Sequence, residues 1–438
     1  MDIQFCRERV LSGLISCFLL MVFASQSHAT EATGAIGSRI EHTDNVRRTN
    51  TNAETDVIQT TYAELGVEEV RKRFKADATL KLQNEHYYEG TYEDETSLTS
   101  GFGLFTVDLV EDFLEWQATF SRTDVVSDTS QDENPDTREF RNIFRTGPTI
   151  NYAVSRLTNI LLRGNYVRVD NSEDDADDNQ RAEGSASVSH QINRLTSVSL
   201  NTRYSEVLES DSDEEISNGS VSLALSRAYV DGLLKIDIGQ QEVESDDGTV
   251  AESETGGFVD VQLTRQAFLW HNFDLKYNHS ISDTSIGFED DETGNRLDID
   301  PVQATTTTDI ETRSRFNFNA SRDADAFTYD IGLIYEESHF KLQDFTERYR
   351  GALIGFSPKL YSRLIPRFEY EYARESFGLI KGLGVDTTHT VTASLKYQLV
   401  EELYADSFVT YETRTNDTVE PREFDELSVG VGLRWEFL

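Results

Sequence analysis

The sequence predicts an all-β fold: a single antiparallel, up-and-down transmembrane β-barrel of about 20 strands, within a range of roughly 18 to 22. Three observations lead to this prediction. Polar and apolar residues alternate along segments of about ten residues, the length that a tilted strand needs to cross a bilayer. Short and long connections alternate between these segments. An N-terminal export signal precedes the first of them.

The alternation has a period of two residues. Between Phe74 and Gln83 every second residue is apolar, and the residues between them are lysine, aspartate, threonine or glutamine. The last segment, from Leu427 to Phe437, repeats the pattern with serine, glycine, arginine and glutamate as the intervening residues. Such strands present one face to an apolar phase and the other to water. A soluble β-sandwich also alternates, but charged residues in mid-strand favour a membrane-spanning strand.

The connections fall into two classes. Short ones recur with similar sequences, as in Ser155 to Asn159 and Asn193 to Ser197. Longer acidic ones separate them, as in Asn171 to Gln180 and the long stretch from Asp283 to Asp309. Short periplasmic turns and longer extracellular loops are the arrangement of outer-membrane barrels. The stretch from Asp283 to Asp309 is the longest loop, and we expect it to be the one that narrows a passage.

The first residues predict export. Arg7 and Arg9 precede an apolar stretch from Val10 to Ala24, and a cleavage site of small residues ends at Ala29. This pattern is typical of a signal peptide over residues 1–29. It leaves residues 30–438 as one outer-membrane barrel, and we expect the chain in the outer membrane of a Gram-negative bacterium.

Both cysteines, Cys6 and Cys17, lie in the predicted signal peptide. Leu14 to Cys17 also fits a lipoprotein cleavage box, but the apolar run continues beyond Cys17, which favours the later cleavage site. The exported chain then has no cysteine, and this excludes a disulfide scaffold and any thiolate site.

Composition excludes several classes of protein. The net charge is −39, which argues against nucleic acid as a partner because phosphate binding needs a positive surface. An aromatic content of 11% with six prolines argues against disorder. No segment after the signal has 18 consecutive apolar residues, so the sequence excludes a helical membrane protein.

The sequence predicts no catalytic site, no metal site and no cofactor. It contains no nucleophile elbow, no Walker loop and no zinc-protease helix, and its histidines are scattered. Two acidic clusters, Asp174 to Asp178 and Glu289 to Glu292, could supply oxygen ligands to a divalent cation. Solvated surface loops are the alternative interpretation and the one we favour.

The polar face of the strands is the candidate working surface. If it faces inward, it lines the barrel with charges of both signs. A water-filled passage is one interpretation of such a lining; an interior closed by crossed salt bridges and inserted loops is the other. The predicted inward-facing residues are Lys75, Lys81, Arg163, Arg203, Asp274, Lys276, Arg315, Asp330, Arg367, Glu369, Glu371, Lys396 and Arg434.

The opening of the barrel carries a distinctive stretch, Ser38 to Val46, which contains Thr43-Asp44-Asn45-Val46 and is followed by Thr55-Asp56-Val57-Ile58. Together with the closing region from Tyr397 to Phe437, it resembles the β-barrel porin-2 group. That group includes outer-membrane proteins associated with exopolysaccharide and PEP-CTERM loci. The resemblance implies an outer-membrane barrel with a link to polysaccharide secretion.

Two functions are therefore expected: a porin-like passage for small hydrophilic solutes, or a non-conducting scaffold or export partner for a secreted polysaccharide. The expected partners are the outer membrane with its lipopolysaccharide and the barrel assembly machinery, which recognises a last strand such as Leu427 to Phe437. Polysaccharide export components join them through the resemblance. No nucleic-acid partner is expected.

Overall fold

The computed structural model describes residues 30–126, 135, 137–172, 178–210, 215–246, 251–267, 271–283, 310–341, 344–376, 384–417 and 422–437. The predicted signal peptide, residues 1–29, lies outside this range, as do the loop 284–309 and most of the acidic cluster from Asp174 to Asp178. Among the described residues, no helix is long and apolar enough to cross a membrane.

Twenty strands make up the described chain. They are β1 (Thr30–Thr43), β2 (Asp56–Arg71), β3 (Phe74–Tyr87), β4 (Glu95–Val110), β5 (Leu114–Val126), β6 (Arg138–Ala153), β7 (Thr158–Asn171), β8 (Asn179–Asn193), β9 (Thr196–Ser210), β10 (Glu215–Tyr229), β11 (Gly232–Asp246), β12 (Ala251–Ala267), β13 (His271–Asp283), β14 (Ile310–Asp323), β15 (Phe327–Phe340), β16 (Phe345–Pro358), β17 (Leu364–Ser376), β18 (Val385–Val400), β19 (Leu403–Asn416) and β20 (Phe424–Phe437).

The strands close into a single barrel. Each strand pairs antiparallel with the next in sequence, and β1 pairs antiparallel with β20 from Gly34↔Phe437 to Thr43↔Ser428. Closure removes the unpaired edges that an open sheet would present to lipid. The prediction of an all-β, up-and-down barrel of about 20 strands is confirmed.

The two ends of the barrel differ. At one end the strands are joined by connections such as 72–73, 194–195, 230–231 and 401–402. At the other end lie longer connections, including 44–55 between β1 and β2 and 284–309 between β13 and β14. Because outer-membrane barrels have short periplasmic turns, we refer to the first end as periplasmic and the second as extracellular.

The register separates two faces. Ile36 pairs with Trp435 and Ile40 with Val431, and all four side chains are exposed. A contiguous apolar face exposed in this way suits contact with lipid. Aromatic side chains such as Trp116, Tyr152 and Trp435 occur on it near the periplasmic end, where interfacial girdles form in such barrels.

The opposite face points into the barrel. On the concave side of a closed sheet, side chains converge, so strands that are two apart can reach each other. On this face Arg434 of β20 pairs with Glu64 of β2 at 2.9 Å, across β1. Asn201 of β9 donates to Asp237 of β11 at 3.4 Å, across β10. These contacts identify the polar face as the interior.

Candidate functional site in the barrel interior

The register fixes where each predicted interior residue lies. All of them occupy the face that carries the contacts across an intervening strand, opposite the exposed apolar side chains. In chain order they are Lys75 and Lys81 on β3, Arg163 on β7, Arg203 on β9, Asp274 and Lys276 on β13, Arg315 on β14, Asp330 on β15, Arg367, Glu369 and Glu371 on β17, Lys396 on β18 and Arg434 on β20.

The structure brings three of these residues together. The Arg367 guanidinium donates to both carboxylate oxygens of Asp330, each at 3.1 Å, and to Glu369 at 2.6 Å. The carboxylate of Asp330 occupies the space beside Gly355 on the strand between them, where a Cβ would lie 2.5 Å from an Asp330 oxygen. A glycine at this position therefore allows the ion pair to cross β16.

The other predicted residues contact different partners around the wall. Arg434 pairs with Glu64 and with Glu436, and Arg203 pairs with Glu183 at 3.3 Å. Lys396 lies 4.1 Å from the centre of the Tyr404 ring. The interior lining is therefore a set of local ion pairs and cation–π contacts around the circumference.

A second set of charges lies near the extracellular end, and of its members only Arg315 was singled out from the sequence. Glu336 on β15 is 1% exposed and pairs with Arg313 at 2.9 Å and with Arg315 at 3.5 Å on β14. Arg138 on β6 pairs with Glu85 on β3 at 3.2 Å. Alternation assigns Glu336, Arg313, Arg315 and Glu85 to the interior face, whereas Arg138 has the same parity as the exposed Phe144 on β6. The alternation also carries no information about which charge pairs with which.

The barrel wall opens between β12 and β13 at the extracellular end. Their pairing runs from Ala267↔His271 to Val259↔His279 and ends there. Beyond this point β12 continues to Ala251 paired with β11, whereas β13 continues to Asp283 paired with β14. The extracellular end of β13, which is still paired with β14, therefore separates from β12.

The hairpin turns into the barrel where it leaves the wall. The amide of Ile281 donates to Oε1 of Gln241 on the interior face of β11, at 3.3 Å. On β12, a Cβ at Gly256 would lie 2.5 Å from Cδ1 of Ile281, so glycine allows this close approach. The end of β13 therefore lies against the inner side of β11 and β12.

An apolar cluster holds the hairpin in this position. It consists of Ile281 and Ile310, the ends of β13 and β14, packed with Val207 on β9, Ile216 on β10 and Val243 on β11. Each of the five is at most 5% exposed. Burying side chains of this size stabilises the inward position by about 1.5–3 kcal/mol each. We call these five residues the apolar cluster.

The separated strands are bridged by Lys341, which follows β15. Its ammonium group donates to the carbonyl of Ser253 and pairs with Glu254, each at 2.7 Å, on β12. Its amide donates to the carbonyl of Ile310 at 3.0 Å. The loop 284–309, predicted to narrow the passage, lies outside the described residues, but both strands that flank it enter the interior.

The opposite part of the rim is closed by hydrogen bonds. The side-chain Nδ2 of Asn45 donates to the carbonyls of Thr49 and Asp425, each at 2.9 Å, and its Oδ1 accepts from the backbone amide of Thr49. The Thr43 hydroxyl donates to Glu426 at 2.7 Å. We call Thr43, Asn45, Thr49, Asp425 and Glu426 the rim clasp, because it joins the loop after β1 to β20.

Asp56, at the extracellular end of β2, fixes the next loop. Its carboxylate accepts the amides of Val57, Glu89 and Thr91 and the Thr91 hydroxyl, at 2.5 to 3.2 Å. Burial raises the pKa of the Asp56 carboxyl, but the hydrogen bonds from Thr91, Glu89 and Val57 outweigh burial and leave the pKa below its usual value. Asp56 is thus a fixed anion that organises residues 88–94.

In the described part of the chain, no group of three or more histidine, cysteine, aspartate or glutamate side chains could hold a metal ion. The cluster from Glu289 to Glu292 lies outside that part, as does most of the cluster from Asp174 to Asp178. The absence of an enzymatic site remains a prediction.

No family model matches the chain, and no curated protein matches it. Solved structures with a similar shape include the FrpB iron transporter from Neisseria meningitidis (F3-3 variant), 9% identical over 94% of this chain and 82% of that one, with a TM-score of 0.48. The siderophore receptor PirA from Pseudomonas aeruginosa is 10% identical over 94% and 81%, with a TM-score of 0.48.

A third such structure is the outer membrane protein OpdK from Pseudomonas aeruginosa, 9% identical over 93% of this chain and 99% of that one, with a TM-score of 0.40. These likenesses say nothing about the substrate of this chain.

The class of protein follows from the chain's own geometry. A closed barrel of 20 strands, with an exposed apolar outer face and a charged interior, is a transmembrane β-barrel of the outer-membrane type. The predicted location in the outer membrane of a Gram-negative bacterium is confirmed by this architecture.

Proposed function

We propose that the barrel is a porin-like passage for small hydrophilic solutes, narrowed near its extracellular end by the β13–β14 hairpin. The observation that carries this proposal is the exposure of charged interior side chains. Arg203 is 59% exposed, Lys75 45% and Arg367 40%. A packed interior would bury these side chains together with their ion-pair partners, because a charge in a dry core has to be fully enclosed and compensated. Their exposure supports a water-filled lumen.

The narrowing is set by the apolar cluster. Ile281 and Ile310 occupy interior space that an ideal barrel of this size leaves to water. A passage that is wide at the periplasmic end and narrow near the extracellular end selects by solute size. Solutes must pass between the hairpin and the charged wall that carries Glu336, Arg313 and Arg315.

The charge of the chain also bears on whether the passage prefers cations or anions. The net charge is −39, whereas the thirteen predicted interior residues carry nine positive and four negative charges, so the excess negative charge lies outside this set of residues. Acidic loops raise the local concentration of cations at the mouth. We therefore propose weak cation selectivity, to be measured as the reversal potential across a planar bilayer under a salt gradient. Anion selectivity would contradict this part of the proposal.

Liposome swelling tests the passage directly. The mature barrel, refolded into liposomes and shown to be folded by heat-modifiable migration on a gel, is exposed to sugars of graded size. We expect swelling that falls steeply with sugar size. A folded barrel that admits no small sugar would contradict the passage.

A non-conducting scaffold or export partner for a secreted polysaccharide is the second candidate. The observation that favours it is the buried set of groups near the mouth, the apolar cluster together with Glu336, which is 1% exposed. The resemblance of the rim clasp segment to exopolysaccharide-associated barrels adds to it. Absence of swelling, together with co-purification of polysaccharide export components after cross-linking in cells, would favour this candidate.

A further inference from the structure

An unusual pair of arginines lies on the outer face of the barrel. Arg350 on β16 and Arg374 on β17 are direct register partners near the extracellular end, and both are exposed. Arg348, two residues further towards the loop, lies on the same outer face and is 52% exposed. We call these three residues the arginine patch. Like charges directly opposite each other on neighbouring strands destabilise a sheet, so their position calls for an explanation.

The protein neutralises only part of this charge. Arg348 pairs with Glu337 at 2.7 Å, and the Tyr335 hydroxyl donates to the same carboxylate at 2.9 Å. Arg350 lies over the Tyr335 ring, 5.7 Å from its centre. Among the described residues this is the one ion pair of the arginine patch, and neither Arg350 nor Arg374 takes part in it.

The depth of the patch matches a lipid headgroup region. Towards the membrane centre the outer face of the same two strands carries Tyr372, then Ile354 opposite Tyr370, then Phe356 opposite Phe368. Tyrosine side chains lie at the level where a membrane meets water. The opposed arginines lie one step beyond these tyrosines on the extracellular side, where the phosphate groups of the outer leaflet are found.

The arginine patch also differs in sign from the charge of the rest of the protein. On β11, the outer positions near the same end carry Glu242 and Glu244, both exposed. The chain as a whole carries a net charge of −39. Three arginines with one glutamate on β15–β17 therefore form a local basic surface on an acidic protein.

We propose that Arg348, Arg350 and Arg374 bind the phosphate groups of a phosphorylated glycolipid of the outer leaflet. The planar guanidinium matches phosphate oxygens with two parallel hydrogen bonds, and a phosphate between Arg350 and Arg374 neutralises their mutual repulsion. The lipid acyl chains then lie along the apolar surface of Ile354 and Phe368. This site is separate from the interior and does not depend on whether the barrel conducts.

Lipid titration followed by native mass spectrometry tests the proposal. The full-length mature barrel in detergent is titrated with a bis-phosphorylated lipid A and, in parallel, with its dephosphorylated form. We expect the phosphorylated lipid to bind at least tenfold more tightly. In the double variant Arg350→Gln/Arg374→Gln this preference should fall about tenfold, and in the single variant Arg374→Gln by a smaller factor.

Arg168→Gln is the matched control, because Arg168 also lies on the outer face near the extracellular end but is paired with Asp170 at 2.8 Å. Its lipid affinity should remain unchanged. Equal affinity of the unaltered barrel for both lipids, or an equal loss in Arg168→Gln, would overturn the proposal. Inorganic phosphate at millimolar concentration should not displace the lipid; displacement would identify a free-phosphate site and overturn the assignment to a lipid.

Discussion

The β1–β20 and β12–β13 junctions of the barrel wall have hydrogen-bonded ladders of similar length, but the first is closed at the extracellular rim and the second is open. β1 and β20 are paired over ten residue pairs up to Thr43, and β12 and β13 over nine pairs up to Val259. At the first junction the ladder ends in the rim clasp, which continues the closure through side chains. At the second the strands separate, and the end of β13 turns into the barrel.

The difference arises from the side chains just beyond the ladder. At the first junction Thr43 and Asn45 are 1% and 2% exposed and bond to the opposing strand or loop. At the second, Gly256 offers no side chain, while Ile281 presents an apolar group that gains by leaving water. Hydrogen bonds between polar side chains keep the β1–β20 junction closed at the rim, whereas burial of Ile281 draws the end of β13 into the barrel. The rim is therefore shaped locally by a few residues and not by the ladder.

The largest effect should come from Ile281→Asn. An amide placed in the apolar cluster loses the apolar burial and gains no partner there, which costs about 2–4 kcal/mol. We expect the hairpin end to leave the cluster and the single-channel conductance in a planar bilayer to rise severalfold. Ile334→Asn is the control, because Ile334 on β15 is 8% exposed but lies outside the cluster. Unchanged conductance in a folded Ile281→Asn barrel would contradict the constriction.

A smaller effect is expected at the other junction. Asn45→Ala removes two donated hydrogen bonds and one accepted bond from a buried position, so the free energy of unfolding should fall by about 1–3 kcal/mol. Urea unfolding in detergent micelles measures it. Asn84→Ala, which removes two exposed hydrogen bonds on β3, is the matched control and should change stability by less than about 0.5 kcal/mol. Equal losses in both variants would show that the rim clasp has no special role.

This comparison also shows what the sequence could predict. The period of two assigns each residue to one of two faces, because the pleat alternates strictly, and it therefore predicted the barrel. The strand number followed from counting turns. Thr43 and Asn45 were noticed as part of a distinctive motif, but their role as rim closure depends on Asp425 and Glu426 at the far end of the chain.

The inward turn of β13 could not be predicted, since Ile281 occupies an outer-face position by strict alternation. Its burial results from the loss of pairing with β12, which exchanges lipid or solvent contact for contact with Val207, Ile216 and Val243. A local pattern carries no information about contacts between β9 and β13. The same limit explains why the partners of Glu336 were not predicted.

A moderate, pH-dependent effect is expected from Asp56→Asn. The folded-state pKa of Asp56 is lowered, so its ionised form stabilises the folded barrel above the unfolded-state pKa of about 3.9. This contribution is lost as the pH falls through the still lower folded-state pKa. The unaltered barrel should therefore be more stable than Asp56→Asn at pH 7, with the difference shrinking below about pH 4. Thermal unfolding measured across this range tests it; a difference that does not vary with pH would contradict the assignment.

The smallest effect is expected at the bridge across the open junction. Lys341 and Glu254 are 31% and 36% exposed, and ion pairs with such exposure contribute about 0–1 kcal/mol. A double-mutant cycle with Lys341→Gln and Glu254→Gln should therefore give a coupling free energy below about 1 kcal/mol, reduced further at about 1 M salt by screening. A coupling well above this range would mean that the ion pair, and not the apolar cluster, keeps the β13–β14 hairpin inside the barrel.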